Sequence, residues 1–93
     1  MIDEKTLKII EEYCGKAGVR VPTSYTLDSL IPLWEYIGYF PHFSYLKASG
    51  YSSEFRIELY SCEGEIIVGK TITPSIIESA YISTSKVIRY LSP

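Results

Sequence analysis

The sequence contains few of the side chains that most often carry catalysis or bind metals. It has two cysteines, Cys14 and Cys62, and one histidine, His42. Thiol catalysis requires a cysteine beside a histidine, and the spacing of these residues predicts no such pair. A structural zinc ion requires four ligands, mostly cysteine and histidine. We therefore expect no enzyme activity, no metal site and no cofactor. We expect both thiols to be reduced and unpaired, with a disulfide between them as the alternative.

An excess of basic charge is also lacking. Lysine and arginine together number 9 and aspartate and glutamate 11, so the net charge is −2. General nucleic-acid binders show a basic excess, although these totals leave room for a local basic pocket. The sequence has no apolar run long enough to span a membrane, and none after Met1 that resembles a secretory signal. We expect a soluble intracellular protein without a membrane partner and without general nucleic-acid binding.

Size and composition indicate one globular domain. The chain has 93 residues, of which 46% are hydrophobic and 14% aromatic. A chain of this length forms a single small core, and this composition is not that of a disordered protein. We expect residues 1–21 to form an N-terminal helix and a connector, and residues 22–93 to form the rest of the domain.

Residues 54–73 have the pattern of a β-hairpin. Apolar and polar residues alternate over residues 55–60, as in a strand with one buried face. Residues 66–72 are rich in β-branched side chains, which is typical of a well-covered strand. Gly64 lies between the two arms, where a turn often requires a positive φ.

A third strand is expected just before the hairpin. Residues 43–48 permit an extended strand at the edge of the sheet, entered through a loop at Pro41. Ser49 and Gly50 are typical turn residues that connect it to the hairpin. The three strands then form an antiparallel meander.

Helices are expected before and after this meander along the chain. The first covers residues 3–15, with Asp3 as its N-cap. The last begins with Thr73 as its N-cap and Pro74 at the first helical position. With a second helix after residue 22, the order is α-α-β-β-β-α. The predicted fold class is α+β, a small αβα-type sandwich with a three-stranded sheet packed by helices.

The second helix depends on how Pro32 is accommodated. A helix from Thr26 to about Gly38 has an unbroken apolar stripe, but Pro32 then removes an interior hydrogen bond and kinks it. A helix that starts nearer Ser29 makes the proline harmless. We prefer the kinked helix from Thr26.

Four short motifs follow one another along the chain. They are Pro22-x-x-Tyr25-Thr26-x-Asp28, Trp34-Glu35, the hairpin, and Thr73-Pro74-Ser75-Ile76-Ile77. In this order they resemble the phage αβα-sandwich domain family, small proteins of tailed bacteriophages and prophages. The resemblance covers about residues 22–91. It implies a phage origin and the sandwich fold, but no catalytic residues. The expected location is the host cell cytoplasm.

Residues 64–71 match the phosphate-loop pattern G-x-x-x-x-G-K-T. A phosphate loop needs a strand before it and a helix that begins at the Gly-Lys-Thr triplet. Here the middle residues are themselves the predicted strand, and no helix is expected before Thr73. We therefore predict a strand, with Lys70 on its solvent face.

Tyrosine is the clearest excess, with nine residues. Tyrosines among small polar residues are typical of recognition surfaces, and several lie in the stretch from Tyr39 to Tyr51. Arginine and lysine nearby are candidate contacts for an anion. The predicted ligand-binding residues are Tyr39, His42, Tyr45, Lys47, Tyr51, Arg56 and Lys70. The alternative is that some of these rings only complete the core and that the charges are solvated.

Self-association is expected because a three-stranded sheet leaves one face poorly covered and two edges open. A homo-oligomer, most simply a two-fold dimer, solves both problems. The leading hypothesis is a counter-defence protein that sequesters a small anionic host signal, such as a cyclic nucleotide or an ADP-ribose derivative, between protomers. The alternatives are a protein-binding inhibitor of a host defence enzyme and a structural or accessory phage protein without a ligand.

Overall fold

The structure, a computed structural model, describes residues 2–47, 53–61 and 67–91. It contains α1 (Glu4–Ala17), a 3₁₀ turn (Asp28–Leu30), α2 (Ile31–Ile37), β1 (Tyr39–Lys47), β2 (Ser53–Ser61), β3 (Ile67–Thr73) and α3 (Ile76–Leu91). The α+β class, the order α-α-β-β-β-α and the antiparallel meander are confirmed. None of the helices in these described ranges is both long and apolar enough to span a bilayer.

The sheet has the strand order β1-β2-β3. β1 pairs with β2 along its whole length, from Tyr39 opposite Ser61 to Lys47 opposite Ser53. The loop predicted at Pro41 is therefore wrong. β1 is an edge strand, where a residue without an N–H group is tolerated. The predicted turn residues Gly64, Ser49 and Gly50 lie outside the described residues.

The N-terminal helix has the predicted cap. The Asp3 side chain accepts a hydrogen bond from the Thr6 N–H at 2.7 Å. The helix runs two residues beyond the predicted end and stops at Gly18, whose φ of 73° lies in the left-handed region. That conformation is costly for residues with a side chain, so Gly18 and not Gly15 ends the helix.

The second helix differs from our preferred prediction. A 3₁₀ turn precedes α2, and Pro32 lies in the first turn of α2. The kinked helix from Thr26 is therefore wrong, and the later start is correct. The Ser29 hydroxyl lies 2.7 Å from the carbonyls of both Ser24 and Thr26, which stabilises a turn before the helix. Proline in a first turn removes no intrahelical hydrogen bond.

The last helix begins slightly later than predicted. The Ser75 hydroxyl accepts a hydrogen bond from the Glu78 N–H at 3.2 Å, so Ser75 is the N-cap. Thr73 instead accepts a hydrogen bond from the Ser75 N–H at 3.1 Å. Pro74 therefore lies outside the helix and not at its first position. The sequence between β3 and α3 forms a short hydroxyl-bonded connection.

All three helices share one core with one face of the sheet. The core residues are Ile10, Cys14, Leu30, Leu33, Trp34, Tyr39, Ile57, Leu59, Ala80, Tyr81, Val87 and Ile88. α3 lies close to β2 because small residues face the sheet. Ser79 donates a hydrogen bond to the Phe55 carbonyl at 3.2 Å, and Ser83 donates one to the Ile57 carbonyl at 3.1 Å. Leu91, the last residue of α3, is exposed.

Candidate functional site

The candidate site is the face of the sheet that points away from this core. We call it the open sheet face. Its described residues are Phe40, His42, Ser44, Arg56, Glu58, Tyr60 and Ile72. The cross-strand pairs that define it are Phe40–Tyr60, His42–Glu58, Ser44–Arg56 and Arg56–Ile72. Directly paired residues project to the same side of a sheet, and the buried Ile57 and Leu59 project to the other. Phe40 and Ile72 are 46% and 44% exposed, so large apolar side chains on this face meet solvent.

An ion pair occupies the middle of the open sheet face. Arg56 Nε lies 3.0 Å from Glu58 Oε1, and Arg56 Nη2 donates a long hydrogen bond of 3.5 Å to the Ser44 hydroxyl. The Arg56 Nε–H bond is not directed at Glu58 Oε1, and Nε has no hydrogen-bond partner. The contact between these two atoms is therefore an ion pair without a hydrogen bond. These contacts orient the guanidinium between a carboxylate and a hydroxyl.

Glu58 is the more buried member of the Arg56–Glu58 ion pair, with 8% of its surface exposed. Its second oxygen accepts a hydrogen bond from the Tyr60 hydroxyl at 3.2 Å. Desolvation and then this hydrogen bond and the charge of Glu58 raise the pKa of the Tyr60 hydroxyl. The hydroxyl therefore remains a donor at neutral pH. The carboxylate is held on one side by a cation and on the other by a phenol.

Aromatic rings lie beside the ion pair. The rings of His42 and Tyr60 are 6.0 Å apart and nearly perpendicular, at 87°. This edge-to-face arrangement is favourable for aromatic pairs. His42 is exposed and Tyr60 half-buried. Together with Phe40, which pairs with Tyr60 across the strands, they place ring surface on the same face of the sheet as the Arg56 guanidinium.

The structure brings together only part of the predicted ligand-binding set. His42 and Arg56 lie on the open sheet face. Tyr39 is buried in the core, in agreement with the alternative weighed for it. Tyr45 is exposed, but it lies on the opposite side of the sheet, where its ring is 5.5 Å from that of Phe55. The side chains of Lys47 and Lys70, and the whole of Tyr51, lie outside the described residues.

Sequence reasoning missed three contributors to this face. Ser44, Glu58 and Tyr60 contact the two predicted residues directly. The alternation of side chains along a strand could have identified them, because residues two apart on a strand lie on the same face. Every second residue of β2 counted from Arg56 lies on the same face, and this set includes Glu58 and Tyr60.

Both edges of the sheet have features that oppose pairing with another strand. β1 contains Pro41, which lacks a backbone donor. In β3, Val68 pairs with Leu59 but Thr71 pairs with Ile57, so one extra residue forms a bulge. Proline and bulges are common devices that protect exposed edges. An interaction through the open sheet face is therefore favoured over one through the strand edges.

Comparisons with known proteins give no match. No family model, no curated protein and no solved structure matches the chain. The resemblance to the phage αβα-sandwich domain family therefore stays a prediction. Within the described ranges, no group of three or more histidine, cysteine, aspartate or glutamate residues is placed to hold a metal ion.

Proposed function

We propose that this chain is a non-catalytic binding protein of phage origin that captures a small anionic molecule of nucleotide type on its open sheet face. It would act in the host cytoplasm as a counter-defence protein. The observation that carries this proposal is the Arg56 guanidinium, oriented by Glu58 and Ser44, on the same sheet face as the rings of His42 and Tyr60. The motif resemblance supports the phage origin.

The chemistry of the face suits a ligand that has both a ring and a phosphate. Arginine recognises phosphate through paired hydrogen bonds, and nucleic-acid bases stack on aromatic side chains. His42 is directly opposite Glu58, and Arg56 is the next residue along β2 on the same face. Positions two apart on a strand are about 7 Å apart. In a nucleotide one sugar separates the base from the phosphate, so the base can contact the His42 ring while the phosphate contacts the Arg56 guanidinium.

The size of the face favours a small ligand over a large protein partner. Two strands of nine residues and one of seven cover an area about 14 Å wide and at most about 30 Å long, or about 400 Å². A standard protein interface buries about 800 Å² on each partner. Two copies packed through this face would bury about 800 Å² in total, which is below the roughly 1,200 Å² of a stable interface. We therefore expect a dimer that forms with the ligand between its protomers.

A second candidate function is inhibition of a host protein through the same face. Exposed Phe40 and Ile72 support it, since exposed apolar side chains on a largely polar surface are typical of protein interfaces. This function requires additional contact area from residues beyond the open sheet face. It predicts a monomer that binds no small molecule.

Native mass spectrometry tests the proposal. The protein is measured alone and with cyclic dinucleotides, ADP-ribose and unphosphorylated adenosine. We expect a mass increase and dimer formation with the phosphorylated compounds only. Absence of any mass increase with the whole panel, and with lysate of phage-infected bacteria, would refute capture of a small anion and favour a protein partner or an accessory role.

Variants locate the site. Arg56→Gln alone leaves Glu58 without its cation, so the double variant Arg56→Gln/Glu58→Gln is the better probe because it removes both charges together. We expect it to lose the ligand while its circular dichroism spectrum is unchanged. Arg20→Gln, an exposed arginine elsewhere, is the matched control. Equal binding by the double variant and the control would place the ligand elsewhere.

A further inference from the structure

The two charged side chains of the Arg56–Glu58 ion pair differ in their access to solvent. The side chain of Arg56 is 34% exposed and that of Glu58 only 11%. Glu58 is also held from its other side by the Tyr60 hydroxyl, which donates a hydrogen bond to Oε2 at 3.2 Å. An anion that arrives from solvent therefore meets the guanidinium first, while the carboxylate stays in place beneath it.

The Arg56 guanidinium uses one of its edges within the protein. Nε and Nη2 lie along that edge, where Nε contacts Glu58 and Nη2 contacts the Ser44 hydroxyl. The other edge consists of the N–H groups of Nη1 and Nη2. No described residue accepts a hydrogen bond from Nη1. This second edge is therefore available to a ligand, and two N–H groups on one edge can bind two phosphate oxygens.

The contacts of Arg56 are not those of an arginine that serves stability alone. Structural arginine–carboxylate pairs are often bidentate, with two short parallel hydrogen bonds. Here Nε is buried without a hydrogen-bond partner, and the bond from Nη2 to Ser44 is 3.5 Å long, beyond the usual range for N–H donors. A buried donor without an acceptor lowers stability. A pair that served only the fold would be expected to align at least one donor with Glu58.

Glu58 limits the negative charge that this edge of Arg56 can accept. One carboxylate oxygen lies 3.0 Å from Nε, so its charge cancels much of the attraction between the guanidinium and an anion. With histidine counted as neutral, Arg56 is the single cation among the described residues of the open sheet face. A phosphate with two charges would leave one of them unpaired beside a carboxylate, and an ion that loses its water without gaining a partner is costly.

We propose that the open sheet face selects a phosphate that is linked on two sides and carries one negative charge over a terminal phosphate that carries two. Cyclic nucleotides and the internal phosphates of ADP-ribose are of the first kind. The two free oxygens of such a phosphate match the two N–H groups on the available edge of Arg56. A terminal phosphate has a third free oxygen and, above neutral pH, a second charge. This selectivity rests on the proposed function and names the kind of phosphate that the site takes.

Titration calorimetry at pH 8 with matched probes tests the selectivity. Cyclic AMP and 5′-AMP share the base and the sugar and differ in the phosphate, and cyclic di-AMP with its linear 5′-phosphorylated form gives a second pair. We expect the cyclic member to bind at least about tenfold more tightly than its partner. A linear member that binds as well as the cyclic one would overturn the selectivity and leave the proposed function standing. Absence of binding by all four probes and by ADP-ribose would refute the proposed function itself.

Glu58→Gln tests whether the carboxylate causes the selectivity. The variant keeps the shape of the side chain and an acceptor for the Tyr60 hydroxyl, and it removes the charge. We expect it to bind 5′-AMP at least about tenfold more tightly than the wild type does, so that the two members of each pair differ by less than about threefold. Glu11→Gln removes an exposed carboxylate on α1 and is the control, with the ratio of the wild type.

The ratio of affinities also gives the contrary results. An unchanged ratio in a Glu58→Gln variant whose circular dichroism spectrum is that of the wild type would overturn the role assigned to the carboxylate. If this variant does not fold, the wild-type ratio decides alone, and a preference for the cyclic probes below about threefold would overturn the proposal.

Discussion

The hydrogen bond between Trp34 and Thr84 gives a sharp test of the packing. The Trp34 indole N–H donates to the Thr84 hydroxyl at 2.9 Å, and this hydroxyl donates to the Ala80 carbonyl at 2.7 Å. Thr84 is fully buried and Trp34 nearly so. Thr84→Val retains the shape of the side chain and removes only the polar atom. The indole N–H then has no acceptor at this position.

The expected cost follows from the burial of that N–H group. A buried donor that loses its partner costs about 1–3 kcal/mol, whereas the net value of the bond itself is about 1 kcal/mol. The added methyl group gains back part of this, up to about 0.8 kcal/mol. We therefore expect Thr84→Val to lower the free energy of unfolding by about 1–2 kcal/mol. This is a substantial part of the roughly 5–15 kcal/mol typical of a domain.

Urea unfolding at 25 °C measures this change. For a small protein with an m-value of about 1 kcal/mol/M, the midpoint falls by roughly 1–2 M. Ser85→Ala is the control, because the Ser85 hydroxyl bonds only within its own helix, to the Ile82 carbonyl at 2.7 Å. We expect it to change stability by less than about 0.5 kcal/mol.

A double-mutant cycle isolates the interaction. In a Trp34→Phe background no indole N–H is left unpaired, so Thr84→Val should cost about 1 kcal/mol less than in the wild type. Circular dichroism follows unfolding in that background, since Trp34 is the single tryptophan. Equal costs in both backgrounds, or a Thr84→Val variant as stable as Ser85→Ala, would refute the reasoning.

Four further predictions concern α1 and its ends. Gly15→Ala should raise the free energy of unfolding by about 0.5–1 kcal/mol, because this helical glycine has open space around it. Gly18→Ala should lower it by about 1–2 kcal/mol, because φ is 73° there. Burial raises the pKa of the Cys14 thiol, so in a Cys62→Ser variant this thiol should react with Ellman's reagent at pH 8 only as fast as the protein unfolds. The hydrogen bond from the Thr6 backbone N–H holds the pKa of the Asp3 carboxyl below its usual value. The contribution of this cap to the free energy of unfolding should therefore be present above about pH 4 and lost as the pH falls through the lower pKa of the folded state. Asp3→Asn should remove this pH dependence.

Each of these has a clear contrary result. The two glycine variants, compared by thermal unfolding, must differ in sign; a shared sign would mean that the helix does not end at Gly18. Rapid modification of Cys14 in the folded protein would mean that α1 does not pack over it. For Asp3, an acid titration of stability identical in the wild type and Asp3→Asn would show that the cap is not formed in solution.

Local patterns account for the parts of the fold that the sequence predicted well. The period-2 alternation around Ile57 defines a strand whichever elements cover it, and the Asp3 cap depends on one side chain and the next turn. The start of α2 was missed because it depends on Ser29, whose hydroxyl bonds to carbonyls earlier in the loop. The hydrophobic periodicity of the sequence cannot predict these hydrogen bonds of Ser29.

Burial of the serines on α3 could not be predicted for a related reason. Ser79 and Ser83 are polar, and helical periodicity assigns polar residues to the solvent side. Their hydroxyls are satisfied by carbonyls of β2, a strand more than twenty positions earlier in the chain. At the candidate site, residues were chosen for nearness in sequence to a tyrosine-rich segment. For the residues of β1 the side of the sheet was not used to choose among them, so Tyr39 and Tyr45 were grouped with His42.

The contacts of Tyr81 have a consequence for how the chain folds. Its hydroxyl bonds to residues 52 and 57 positions earlier, and the Trp34–Thr84 bond spans 50 positions. The N-terminal half therefore cannot reach its final arrangement until the last helix has been synthesised and has docked. Contacts this distant in sequence slow folding. During synthesis, the early helices would expose apolar surface that the final third of the chain later covers.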